Sequence, residues 1–188
     1  MKTILLSAAV AVALATLMAA DTCRETVRDA SGRVVQTVER RKDAGGTVQA
    51  TTRDASGRVV GTAVTRPNAG GGSARTEYRD ASGRLTGTAQ TQAAAATTAA
   101  RTTYRDASGR LTASAATRTS GGGSCGSSIQ TQYRDASGRL TGSTSGNISP
   151  SGTFTGTDRD ASGRVTGTST GTGKCQGAAV VRAPGGNR

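Results

Sequence analysis

The chain has 188 residues, 24 Lys+Arg against 12 Asp+Glu, no His, and a formal net charge of +12. Apolar residues make up 34%, with Ala the commonest, and aromatic residues only 2%. This composition argues against an ordinary globular enzyme, and the absence of His excludes Ser-His-Asp or Cys-His catalysis and His-based metal sites.

Residues 1–20 read as a Sec signal peptide. Met1-Lys2-Thr3 gives a short positive start, Ile4 to Ala20 is uncharged and apolar, and charge resumes at Asp21. Cleavage is expected after Ala20, with Ala13-Leu14-Ala15 as an earlier option. The alternative is an uncleaved anchor, since the run reaches the lower length limit of a membrane span. Asp21-Thr22 before Cys23 argues against a lipoprotein. The expected location is therefore secreted, periplasmic or at the cell surface, with no membrane span after signal cleavage.

Residues 21–188 form the second unit. They hold only twenty large apolar or Tyr side chains, among them eleven Val, three Leu, Phe154 and Tyr78, Tyr104 and Tyr133. Composition alone predicts disorder. A strict repeat displaces that expectation. The hexapeptide Arg-Asp-Ala-Ser-Gly-Arg occurs six times without variation, at 28–33, 53–58, 79–84, 105–110, 134–139 and 159–164. Each copy is followed by Val or Leu, and four of them continue into Thr-Gly-Thr-like segments such as Thr86-Gly87-Thr88. A period of this size signals a repeat architecture. Residues 181–186 look like a degenerate seventh copy, suited to a C-terminal cap.

Each hexapeptide carries its own turn chemistry. The Asp accepts from a backbone N–H two residues on, Ala and Ser fit a type I turn, and Gly supplies the left-handed residue that follows. The turn-forming residues are Asp29 and Gly32, Asp54 and Gly57, Asp80 and Gly83, Asp106 and Gly109, Asp135 and Gly138, and Asp160 and Gly163. In the third copy this hairpin pairs Asp80 with Arg84 and Tyr78 with Thr86. About half a period later lies a second, variable set of turn formers, such as Asp43-Ala44-Gly45-Gly46 and Asn147 to Gly152. Thr- and Val-rich stretches between the turns read as strands. The predicted fold is all-β, an antiparallel hairpin-repeat meander of about thirteen short strands. The alternative is a β-solenoid with one repeat of ~25 residues per coil.

Asp-Ala-Ser-Gly-Arg-Leu with an upstream Tyr resembles the tyrosine–aspartate (YD) repeats of Rhs and teneurin-type surface proteins, and also the short hairpin repeats of MORN-like bacterial proteins. The resemblance covers residues 27–168 in short pieces. It departs from the YD pattern in that Arg stands between Tyr and Asp, as in Tyr78-Arg79-Asp80. The chain is most like small secreted repeat proteins of proteobacteria built of Arg-Asp-x-x-Gly-Arg-x-Thr-Gly-Thr units. These resemblances imply an architecture and no activity.

The recurrent Asp and Ser read as turn caps and not as nucleophiles, so no enzymatic activity, small-molecule substrate or cofactor is expected. Two Arg beside every Asp oppose calcium binding. Cys23, Cys125 and Cys175 are candidates for a disulfide, and the odd number leaves one thiol free or available between chains. On a flat meander Cys125 and Cys175, two repeats apart, stand too far apart to bridge unless their loops fold back.

Charge is the most informative functional feature. The hexapeptide arginines Arg28, Arg33, Arg53, Arg58, Arg79, Arg84, Arg105, Arg110, Arg134, Arg139, Arg159 and Arg164 would form rows along the strict-turn edge. Such rows suit an anionic polymer or an anionic cell surface. The run Arg40-Arg41-Lys42 is a second basic candidate. The expected function is a non-enzymatic structural or polyanion-binding element at the envelope or outside. The alternative is a self-associating subunit of an extracellular fibre, stacking through open sheet edges. An ice-binding face built from Thr rows comes third.

Overall fold

The computed structural model describes residues 21–69, 72–93, 98–121 and 126–172. Residues 1–20, expected to be a signal peptide, residues 181–186, expected to be a degenerate seventh copy, Cys125 and Cys175 lie outside the described residues. Twelve strands follow one another in the chain: β1 (Asp21–Asp29), β2 (Val34–Lys42), β3 (Val48–Asp54), β4 (Val59–Pro67), β5 (Ser73–Asp80) and β6 (Leu85–Ala93), then β7 (Ala99–Asp106), β8 (Leu111–Gly121), β9 (Ser127–Asp135), β10 (Leu140–Ile148), β11 (Phe154–Asp160) and β12 (Val165–Thr172). The described residues contain no helix.

Every strand pairs antiparallel with its chain neighbours, and β1 pairs with β12, so the meander closes into a barrel. The hairpin reading holds and the solenoid alternative does not, because the Asp-x-x-Gly loop reverses the chain into its own neighbour. Twelve strands are described where about thirteen were expected. Closure also removes the open edges the sequence suggested. The Arg24↔Thr172 to Asp29↔Gly167 ladder occupies what would be the two free edges of a flat sheet. A closed sheet has no edge strands for another chain to extend.

The six strict turns are alike. In the third, the Asp80 N–H donates to the Arg84 carbonyl and the Gly83 N–H donates to the Asp80 carbonyl, both at 3.0 Å. Gly83 has φ +83°, and the six equivalent glycines lie between +83° and +86°. The register corrects one sequence expectation. Asp80 and Arg84 do close the loop, but Tyr78 pairs with Gly87 and not with Thr86. A β-bulge between Tyr78 and Arg79 on the register accounts for the slip. Thr86 is the extra residue, and the same one-residue shift recurs in the other five hairpins. Such bulges sharpen local twist, which a small closed barrel requires.

The bulge decides what fills the barrel. It puts Gly or Ala opposite each inward-facing Tyr within its own hairpin, and the unbroken register to the preceding hairpin puts Ala on the other side. Tyr78 lies between Ala63 and Gly87, Tyr104 between Ala89 and Ala113, and Tyr133 between Ala115 and Gly142. Small neighbours leave room for each ring to cover the inner wall. Tyr104, Ala89, Ala113 and Ala115 are 2–4% exposed and form the core cluster, with Tyr78 and Tyr133 packed against it. Phe154 does the same work near the opposite end, its ring lying over Gly146 and Gly156. Three Tyr and one Phe, with the buried Val27 and Val38, thus supply the large apolar groups of an interior otherwise lined by Thr, Ala and Gly.

Candidate anion-binding rim

An up-and-down barrel sends alternate turns to opposite ends. All six hexapeptides therefore stand on one rim, joining β1 to β2, β3 to β4, β5 to β6, β7 to β8, β9 to β10 and β11 to β12. The variable turns, the start of β1 and the end of β12 stand on the other. Linear arginine rows become a ring. It carries twelve Arg against six Asp, half of the chain's formal +12.

The two arginines of each hexapeptide have different duties. The first donates from its guanidinium to the carbonyl of its own turn Gly: Arg28 to Gly32, Arg53 to Gly57, Arg79 to Gly83, Arg105 to Gly109, Arg134 to Gly138 and Arg159 to Gly163, at 2.7–3.1 Å. It also stands opposite a hydroxyl residue on the preceding hairpin, as in Thr62↔Arg79 and Thr88↔Arg105. The second arginine enters the turn through its backbone. The Arg84 N–H donates to Asp80 Oδ1 at 2.9 Å, and its carbonyl accepts from Asp80. Among the described residues the side chains of Arg33, Arg58, Arg84, Arg110, Arg139 and Arg164 are exposed and have no hydrogen-bond or ion-pair partner.

Each turn Asp is fully engaged on one oxygen. Asp80 Oδ1 accepts from the Ser82 N–H, the Ser82 hydroxyl and the Arg84 N–H, at 2.6–2.9 Å. The Ser82 hydroxyl, then the Arg84 backbone N–H, hold the Asp80 carboxyl below the usual Asp range. The charge of the second arginine is the weakest of the causes. The other five Asp have the same arrangement and the same direction of shift. Asp and Ser are thus consumed in holding the loop, while the second arginine's cation faces outward.

One loop scheme serves both rims in part. Asp43 and Ser149 occupy the Asp position of variable turns, accept from Thr47 and Thr153 four residues on, and precede the left-handed Gly46 and Gly152. The shared Asp/Ser-x-x-Gly-Thr spacing was present in the sequence, hidden by the substitution of Ser for Asp. These turns lack the two arginines, so among the described residues the opposite rim shows no equivalent ring.

The second basic candidate dissolves on strand alternation. Arg40 turns into the barrel, where its Nη2 lies 2.8 Å from Glu25 Oε2, while Arg41 is exposed on the outer wall. The Arg40 charge also acts on Tyr78, whose hydroxyl is buried without a hydrogen-bond partner among the described residues. Burial pushes the Tyr78 and Tyr104 hydroxyls above the usual tyrosine range. On the other side Asp158 accepts from Thr144 at 2.6 Å, which in turn lies 3.4 Å from the Tyr133 hydroxyl. This lumenal polar chain was not visible in the sequence, because inward and outward charges alternate without any marker.

The outer wall carries charge along its height. Arg24, Glu39, Arg41, Arg75, Arg101 and Arg118 are all exposed there. A lipid-facing barrel wall has an apolar band instead. Threonine pairs such as Thr26↔Thr37 and Thr51↔Thr62 are present, yet the next rung brings Arg53 to Thr37 and Arg79 to Thr62. A shallow depression of about 470 Å³ lies across β9–β12, lined by Ser128, Gln130, Asn147 and Thr155 among others and by no charged side chain. Cys23 is disulfide-bonded, and its partner lies outside the described residues.

Comparison with protein-family models, with curated proteins and with solved structures finds no match.

Proposed function

We propose that this chain is an exported, non-enzymatic repeat barrel that binds anionic polymers or anionic cell surfaces through its strict-turn rim. One observation carries the reading. Six identical loops present six exposed arginine side chains that have no hydrogen-bond or ion-pair partner among the described residues, while the turn Asp and Ser side chains are bound within the loop. A solubility role alone would not need the charges gathered on one rim. The charged outer wall supports a barrel that works in water and not as a membrane pore. The fibre reading loses its simplest mechanism, since β1 and β12 pair with each other.

Binding of this kind is multivalent and depends on counterion release, so affinity falls steeply with salt and tolerates changes of polymer sequence. The test is affinity for heparin and for mixed-sequence DNA at low and moderate salt, wild type against the Arg84→Gln/Arg110→Gln/Arg139→Gln variant. The barrel should survive this change, because all three residues serve the turn through backbone atoms. Binding that is weakened in the variant supports the rim. No binding by the wild type at low salt sinks the reading.

A further inference from the structure

The strict-turn rim carries more than charge. The exposed large apolar side chains of the described residues are Val35, Val59, Val60, Leu111 and Val165, at 36–45% exposure. Each lies within two residues of a second arginine: Val35 after Arg33, Val59 and Val60 after Arg58, Leu111 after Arg110 and Val165 after Arg164. The opposite rim and the wall have no such group among the described residues. Val35 and Val60 occupy the bulge position that Thr86 and Thr112 fill elsewhere, so the fold does not demand a hydrophobe there.

Shape restricts what can meet this rim. By the usual strand spacing and barrel tilt, a twelve-stranded barrel is roughly 24 Å across and its six turns stand ~12 Å apart around the circle. A linear polyanion crossing such a ring meets an arc of it. A flat anionic layer meets all six arginines at once, and its boundary with the acyl region accepts the apolar side chains beside them. Arginine with neighbouring aliphatic groups is the pairing expected at a lipid headgroup boundary.

We infer that the barrel docks end-on, strict-turn rim down, onto an anionic phospholipid bilayer, with the arginines on the phosphates and Val35, Val60 and Leu111 entering the headgroup layer. The inference rests on the reading of the rim as an anion-binding surface, and it adds a specific occupant.

The experiment is co-sedimentation of the mature chain with phosphatidylglycerol-containing vesicles and with pure phosphatidylcholine vesicles. Heparin and lipopolysaccharide micelles are titrated in parallel. The comparison variant is Val35→Thr/Val60→Thr/Leu111→Thr, checked for an unchanged β spectrum, with Val35→Thr/Val60→Thr as the milder version. The wild type is expected to bind the anionic vesicles and leave the neutral ones. The triple variant is expected to lose at least about tenfold in vesicle affinity while holding heparin as before. Equal vesicle binding by wild type and variant overturns the apolar contact, and with it end-on docking. Binding to heparin or lipopolysaccharide without binding to phosphatidylglycerol vesicles also overturns it, yet leaves the anion-binding rim standing. Failure to bind any of the four at low salt overturns both.

Discussion

Arg40 on β2 and Glu25 on β1 form an ion pair at 2.8 Å inside the barrel, with the Glu25 side chain only 4% exposed. The pair is diagonal on the ladder, since Cys23 stands opposite Arg40 and Val38 opposite Glu25. The carboxylate keeps one oxygen, Oε1, without a hydrogen-bond partner among the described residues. The guanidinium is therefore its principal compensation for leaving water.

Removing the cation alone should be costly. Arg40→Met leaves a buried carboxylate without its partner and is expected to destabilise the barrel by about 3–5 kcal/mol. Arg40→Met with Glu25→Leu should recover much of that loss. Urea unfolding followed by circular dichroism checks both, and equal stability of Arg40→Met and wild type would contradict the assignment.

The turn glycine gives a second test. An added Cβ at Gly83 meets nothing within 4 Å, so any penalty there comes from the backbone alone. With φ at +83°, Gly83→Val should lose more than about 1 kcal/mol, and Gly83→Asn clearly less. Thermal melts of the two variants should separate in that order. A shared small effect would mean the loop relaxes out of its left-handed residue.

Acid should loosen the rim. The folded state holds the six turn Asp carboxyls below their ordinary value of 3.8, first through the Ser hydroxyl. A carboxyl whose folded pKa is depressed contributes stability that is present above the unfolded value and lost as pH falls through the folded one. The melting temperature should thus hold through pH 5 and decline below about pH 4. Ser→Ala at several of positions 31, 56, 82, 108, 137 and 162 should lower stability above pH 4 and shrink the acid-dependent drop. A profile unaffected by these changes would remove the hydroxyl from its assigned part.

The disulfide of Cys23 has a predictable partner. Arg24, one residue on, pairs with Thr172, three residues before Cys175. Cys125 belongs to the connection between β8 and β9, several strands around the barrel from β1. Non-reducing peptide mapping is expected to return a Cys23–Cys175 peptide and a separate Cys125 peptide. A Cys23–Cys125 link would contradict this pairing.

Much of the fold was legible in the hexapeptide. Asp80, Ser82 and Gly83 act locally, within five residues, and local turn chemistry is what a sequence displays best. The same holds for the antiparallel neighbours that a tight loop forces. Two things were not legible. The bulge at Thr86 is a register choice, set by whether Gly87 or Thr86 faces the Tyr78 ring, and both residues fit a strand. Closure depends on twist summed over twelve strands, and no single residue encodes it. The rim suffered the same limit. The arginines could be counted in the sequence, but their separation into a Gly-bound first and an unpartnered second required side-chain positions. Arg40 shows the converse error, since three consecutive cations looked like a patch until strand alternation divided them.

The unit of repetition in this chain is one ascending strand, one strict turn and one descending strand. Any whole number of such units finishes antiparallel to its beginning, so parity never forbids the seam between β1 and β12. Gain or loss of a unit by gene duplication or deletion would change the circumference and the number of rim arginines together, leaving the joint intact. The copy number of the hexapeptide thereby becomes a dial on valency that evolution can turn without inventing a new fold.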